Sequence, residues 1–184
     1  MKSSSTLNWR GPLSGLKQEI EPEIRSWLDD HGSLTQRLKD WCPGEFSVEV
    51  LEQRWGLPDH SEAQRLQIPP DQQVLFREVH LKCDQQLCVY ARSVIPQCTL
   101  NGPHSALQHL GNKPLGEYLF AISDLVRERV EWTALNEADD LYRQASPNNE
   151  AGGDPVWGRR SLFLISQQPL LVSEFFLPLL FRSR

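Results

Sequence analysis

The chain has 184 residues, 39% of them hydrophobic and 23% charged, with 24 acidic side chains against 19 basic ones and a net charge of -5. A chain this long buries enough surface to fold as one domain without staples, and its acidity, with no basic stripe, excludes the clustered Lys and Arg that hold phosphate backbones, so no nucleic-acid partner is expected. No apolar run reaches the roughly 18 residues a spanning helix needs, and "MKSSSTLNWRGPLSG" has no apolar signal core, so the expectation is a cytoplasmic protein without membrane insertion.

Residues 1–17 read as a loose N-terminus. Ile20, Ile24, Trp27 and Leu28 then recur at helical spacing, Gly32 breaks the helix, and Ser33 or Thr35 caps a second one through Leu38 and Trp41. In "FSVEVLEQRW", Phe46, Val48 and Val50 alternate with Ser47, Glu49 and Leu51, the pattern of a strand with one wet face. "LPDHSEAQRLQIPPDQQ" is a polar connection ending in a Pro-Pro stop. "QVLFREVHLKC" and "LCVYARSVIP" are rich in strand formers and flank "DQQ", which predicts a hairpin. "PHSALQHLGNKPLGEYLF" predicts a helix, a glycine-containing turn and a short helix starting at Pro114. "DLVRERVEWTAL" alternates Val126, Val130 and Trp132 against charges and reads as one strand. Residues 136–155 are polar and rich in turn formers, an exposed loop. The last hairpin is "WGRRSLFLISQQPLLVSEFFLP", two apolar runs joined by Gln167-Gln168. Five or six strands and two hairpins give a single α+β domain over residues 1–184, an antiparallel sheet with helices on one side.

Metal and nucleophile motifs are missing. Cys42, Cys83, Cys88 and Cys98 form no CxxC pair, Cys83 and Cys88 are off zinc spacing, and free thiols are the expectation. His31, His60, His80, His104 and His109 make no HExxH or HxH pattern, and there is no GxSxG, GxGxxG or phosphate-cradling glycine loop.

The strands carry the functional clue. In "VLFREVHLKC", Arg77 is the lone charge on a face it shares with Leu75, Val79, Leu81 and Cys83. A buried guanidinium needs an anion, and its planar fork suits a carboxylate. Arg92 is a weaker case, beside Cys88, Tyr90 and Val94 on its face. In "PLLVSEFFL", Glu174 is surrounded by apolar residues on both faces of the strand, so its charged form would be destabilised and its pKa raised. Either Arg77 and Glu174 pair with each other in the core, or they face a ligand. Arg159-Arg160 could bind an anion, but such a pair at a strand start is more often a solvated rim.

Taken in order, "FREVHLKCD", "RSVIPQCTLNGPHSALQHLGNKPLGEYLF" and "VWGRRSLFLISQQPLLVSEFFLP", with a fainter "SWLDDHGSLTQRL", resemble the chorismate pyruvate-lyase family of bacterial ubiquinone synthesis. The patterns LGxxPLGxYLF and WGRRSxFxxxxxPLLxxExFLP are long and distinctive. The resemblance implies a six-stranded antiparallel sheet packed with helices, an enclosed ligand site under helical flaps, and conversion of chorismate to 4-hydroxybenzoate and pyruvate without metal or organic cofactor. It assigns Arg77 to the ring carboxylate, Glu174 to the ring oxygen at the other end, Leu115 to a ligand contact through its backbone amide, and Leu34 to the apolar wall of the ring. Arg92 is the candidate for the second carboxylate by inference from its adjacent strand. The partners so implied are chorismate and 4-hydroxybenzoate, and a monomer is expected. The rival is a ligand-binding module of the same fold without turnover.

Overall fold

Two tight turns organise the sheet. Asp84-Gln85 and Ser166-Gln167 have positive φ at both residues, 47° and 67° in the first and 47° and 63° in the second. That is the two-residue hairpin geometry whose twist matches the strands it joins. The first turn joins β2 (Val74–Cys83) to β3 (Gln86–Pro96), the second joins β6 (Val156–Ile165) to β7 (Gln168–Phe176), and β3 pairs with β7 so that the hairpins lie side by side. On the outer side of β2 runs β1 (Phe46–Gly56), and every pairing is antiparallel. The computed structural model describes residues 7–11 and 20–181.

The sheet has seven strands, not six, because "DLVRERVEWTAL" is not continuous. It splits into β4 (Val126–Arg127) and β5 (Glu131–Leu135), which both pair with β6 and share one edge position. Arg65 explains the interruption: its Nη2 takes the carbonyl oxygen of Arg129, and its other nitrogens take the carboxylates of Glu128 and Glu131.

Helices cover both faces, not one. On one face lie α1 (Pro22–Leu28) and α2 (Leu34–Trp41), the latter capped by the Ser33 hydroxyl, which accepts from the Gln36 amide. On the other face α3 (His60–Leu66) packs Leu66 with Val74, Phe76, Val94, Leu162 and Leu171. Its capping box is complete: Asp59 accepts from the Glu62 amide, and Glu62 accepts from the Asp59 amide. A short α4 (Gln97–Leu100) and a 3-10 turn (Ser105–His109) lead to α5 (Leu115–Phe120) on the α2 side. β2 is buried at every position but Lys82, so it has no wet face.

Residues 136–155 are mostly exposed, as expected, but they are not all loop. They contain α6 (Asp140–Ala145), which buries Tyr142 and Ala145 with Tyr90, Phe175 and Leu177. The turn formers that suggested a loop flank the helix: Asn136 and Asp139 make a turn before it, and Asn149, Gly152 and Gly153 take positive φ after it. The loose N-terminus expected over 1–17 falls mostly outside the described residues; within it, Arg10 bridges to Trp132 on β5.

Cys42 and Cys83 are joined in a disulfide, where free thiols were expected. Their Cα atoms stand 5.7 Å apart because β1 brings the end of α2 onto the end of β2. Closing a loop of sequence separation 41 removes unfolded-chain entropy worth about 4 kcal/mol.

Candidate active site

Register puts the charges together. Arg77 on β2 stands opposite Ser93 on β3, Ser93 opposite Val172 on β7, and Val172 opposite Ser161 on β6. The next row on the same face reads Val79, Ala91, Glu174 and Arg159. Arg77 and Glu174 therefore lie two strands apart, about 10 Å at the usual spacing, with the small side chains of Ser93 and Ala91 between them. Above this floor is a cavity of about 560 Å³ of empty space, its mouth included, within the size range of small-molecule sites. Leu34 and Thr35 of α2 and Leu115 and Leu119 of α5 form its roof. Gly116 lets the two helices close together, since a Cβ there would lie 2.6 Å from the Thr35 hydroxyl oxygen. Lys39 and Glu117 pair across the same junction.

Arg77 is 1% exposed and has no carboxylate partner among the described residues. Its Nη2 donates to the carbonyl oxygens of Gly111 and Lys113, both at 3.0 Å, which ties down the turn leading into α5. Its Nε is buried without an acceptor, and burial pushes the guanidinium below its ordinary pKa. A carboxylate entering the cavity answers both deficits.

Glu174 does not pair with Arg77. Its partner is Arg159, whose Nε donates to Oε2 at 2.5 Å. Of the two readings the sequence left open, the core pair with Arg77 is not formed; Glu174 lines the cavity held against another guanidinium, its oxygens able to accept hydrogen bonds. Arg159 also donates from Nη1 to the carbonyl oxygens of Trp27 (2.8 Å) and Asp30 (2.6 Å), fastening the end of α1. Far from being a solvated rim, Arg159 is 1% exposed and lines the cavity, while Arg160 is buried on the opposite face with Glu131. Strand parity could have found it: Trp157, Phe163 and Ile165 share its face.

Arg127 also lines the cavity and was not anticipated as a site residue. Its Nε and Nη2 donate to the Ser161 hydroxyl oxygen at 3.0 and 2.8 Å, and its Nη1 to the carbonyl oxygen of Asp30 at 3.0 Å. Burial, and then the charge of Arg159, depress its pKa to about 10.

Arg92 is not in this cavity. It lies on the opposite face of the sheet, opposite Glu78, and its guanidinium holds Glu62 at 3.0 Å as well as Glu78. Burial works against its charge, but the two carboxylates outweigh it and raise its pKa. Arg92→Ala leaves two acids facing each other beside α3, so it costs about 3–5 kcal/mol of stability. Denaturant unfolding measures that loss, and turnover per folded molecule stays within a few-fold of the parent. A large rise in KM without loss of stability would contradict this placement.

Known proteins resemble this chain over most of its length. The family model described as chorismate lyase matches residues 9–184. A probable chorismate pyruvate-lyase of Methylococcus capsulatus is 45% identical over 155 residues, covering 84% of this chain and 94% of that protein. A chorismate pyruvate-lyase of Pectobacterium carotovorum is 34% identical over 160 residues, covering 86% and 80%. Among solved structures, the effector domain of PhnF from Mycobacterium smegmatis is similar with a TM-score of 0.56 at 12% identity, covering 79% of this chain and 88% of that one. The C-terminal domain of a histidine utilization repressor from Pseudomonas syringae gives 0.56 at 15%, covering 76% and 96%. At such identities the likeness concerns the fold alone.

Proposed function

The chain belongs to the chorismate lyase family, and from that premise we infer that it eliminates pyruvate from chorismate to leave 4-hydroxybenzoate. The observation that carries the reading is charge. Chorismate is a dianion, and the cavity lining has three guanidinium groups, those of Arg77, Arg127 and Arg159, against one carboxylate, that of Glu174; three less one leaves a surplus of two positive charges.

The reaction asks little of the protein. The ether bond to the ring breaks, the hydrogen on the hydroxyl-bearing ring carbon leaves, and the enolpyruvyl methylene gains a hydrogen to become the methyl of pyruvate. Atoms and electrons balance without an oxidant or reductant, and aromatisation drives the step. What remains is to hold the substrate in its reactive shape and to stabilise charge as it separates. In this proposal Arg77 clamps the ring carboxylate, Glu174 accepts a hydrogen bond from the ring hydroxyl, and Leu34 and Leu115 keep the ring dry.

α2 and α5 act in the same proposal as the flaps under which product is trapped. Product release then limits turnover, and a rapid-mixing experiment shows a burst of 4-hydroxybenzoate equal to about one per site. Linear progress from the first turnover would remove the flaps from the account. A cytoplasmic location, a monomeric state and supply of 4-hydroxybenzoate to ubiquinone synthesis belong to the proposal too. Fractionation of the cells and sedimentation of the active protein test the first two, and the Cys42–Cys83 bridge makes fractionation pointed, since disulfides persist mainly in oxidising compartments.

The deciding experiment is simple: pure protein is mixed with chorismate and pyruvate is followed by a coupled assay. Tight binding of chorismate with no pyruvate would make the chain a ligand-binding module instead.

A further inference from the structure

We propose that Arg127 binds the enolpyruvyl carboxylate, the second anionic end of chorismate. The inference rests on the reading of chorismate as substrate, and it replaces Arg92, whose side chain lies on the far face of the sheet with Glu62 and Glu78.

The topology of the substrate says where the second cation must be. The enolpyruvyl ether is attached to the ring carbon next to the one bearing the hydroxyl. Its carboxylate therefore belongs beside Glu174, away from Arg77. Arg127 stands at that end. It comes from β4, beyond β6, and reaches Ser161, two residues along β6 from the Arg159 that pairs with Glu174. Arg77 reaches in from β2, on the other side of β3 and β7. The strand that carries Glu174 stands two strands from both β2 and β4, but the Arg127 guanidinium shares the Asp30 carbonyl oxygen with Arg159, the partner of Glu174, which sets it at the Glu174 end of the cavity.

Occupancy separates Arg127 from its neighbours. Arg65, Arg92, Arg159 and Arg160, the other arginines withdrawn against the sheet, each hold a carboxylate. Arg77 and Arg127 both line the cavity, and among the described residues neither is in an ion pair; the acceptors of Arg127 are one hydroxyl and backbone oxygens, all neutral. Arg159 is close to Glu174 but committed to it and to the end of α1. The two hydrogen bonds that Arg127 donates to the Ser161 hydroxyl oxygen fix the plane of its fork, as recognition of a carboxylate requires. Its depressed pKa has the same origin, a buried cation beside another cation, and an arriving anion relieves it.

The product provides the test, because 4-hydroxybenzoate keeps the ring carboxylate and lacks the enolpyruvyl one. Arg127→Gln is expected to raise KM for chorismate roughly 10- to 150-fold, the range for a charged hydrogen-bonding group, while the inhibition constant of 4-hydroxybenzoate stays within about twofold. Arg127→Lys recovers part of the loss, since charge returns without the fork. An unchanged KM for chorismate overturns the assignment, and so does an equal loss for chorismate and 4-hydroxybenzoate, which would make Arg127 a support of the pocket wall. If Arg127→Gln does not fold, Arg127→Lys carries the same comparison. Failure of the underlying reading looks different: the parent protein itself would release no pyruvate.

Discussion

Arg77→Ala is expected to lower kcat/KM for chorismate by about 10²- to 10³-fold, the usual loss when one preorganised electrostatic contact is removed from a dry site. Unlike the Arg127 variants, it also weakens 4-hydroxybenzoate by a similar factor, because the ring carboxylate is common to substrate and product. Geometry is the reason. The guanidinium is buried, its Nε has no acceptor, and no described carboxylate offsets its charge. The same side chain holds the carbonyl oxygens of Gly111 and Lys113 ahead of α5, so alanine also loosens the roof. Arg77→Lys separates the two effects: it restores charge, but one ammonium cannot span both carbonyl oxygens and a ligand with the same planar fork. Inhibition constants for 4-hydroxybenzoate across parent, Lys and Ala variants, with thermal unfolding as the folding control, check the prediction. Undiminished product binding in Arg77→Ala would remove this residue from the site.

Why Arg77 was legible in the sequence and Arg92 was misread comes down to one residue. Arg77 is found by parity alone, as a charge on an apolar face. Placing Arg92 needs the register of its hairpin. Continuing the pairing of Cys83 with Gln86 down the ladder would set Arg77 opposite Arg92, on one face. A bulge intervenes: Lys82 pairs with Leu87, but Leu81 pairs with Val89, so Cys88 is the extra residue. From there on Arg92 faces Glu78 on the far side of the sheet. Nothing in "CDQQLCVY" announces the bulge. The disulfide was hidden for a related reason, since Cys42 and Cys83 meet only after β1 has returned beside β2.

Other misreadings had signals that polarity obscured. "DHSE" is an Asp-x-x-Glu capping box opening α3, inside a stretch taken as a connection. Leu141, Tyr142 and Ala145 have helical spacing within the segment read as a loop. Arg159 was legible by the same parity that found Arg77, but a pair of arginines at a strand start suggests solvent. The antiparallel sheet, the two hairpins and the Ser33 cap of the second helix were plain because each rests on local chemistry: strand formers around a tight turn, or a serine opening a helix; the first helix stops at Leu28, ahead of the Gly32 expected to break it.

Glu174 is where a substitution separates orientation from proton transfer. The acid is not isolated, because Arg159 donates to it at 2.5 Å and is itself 1% exposed. A carboxylate in that pair is an acceptor, suited to the hydrogen of the ring hydroxyl. Glutamine keeps an acceptor oxygen at the same reach, so Glu174→Gln is expected to hold kcat within about tenfold of the parent. Alanine removes the acceptor and leaves Arg159 buried without a counter-charge. Glu174→Ala therefore loses roughly 10²- to 10³-fold in kcat and about 3–5 kcal/mol of stability. Were Glu174 instead the acid or base of the elimination, glutamine would be as damaging as alanine, since proton transfer by a placed side chain is worth roughly 10²- to 10⁴-fold. Single-turnover rates of both variants, measured where unfolding shows each to be folded, decide between the roles. A glutamine variant as slow as the alanine one would replace the orienting role with proton transfer. A fast one leaves the hydrogen to pass within the substrate, from the ring carbon to the enolpyruvyl methylene, with the protein holding both ends still.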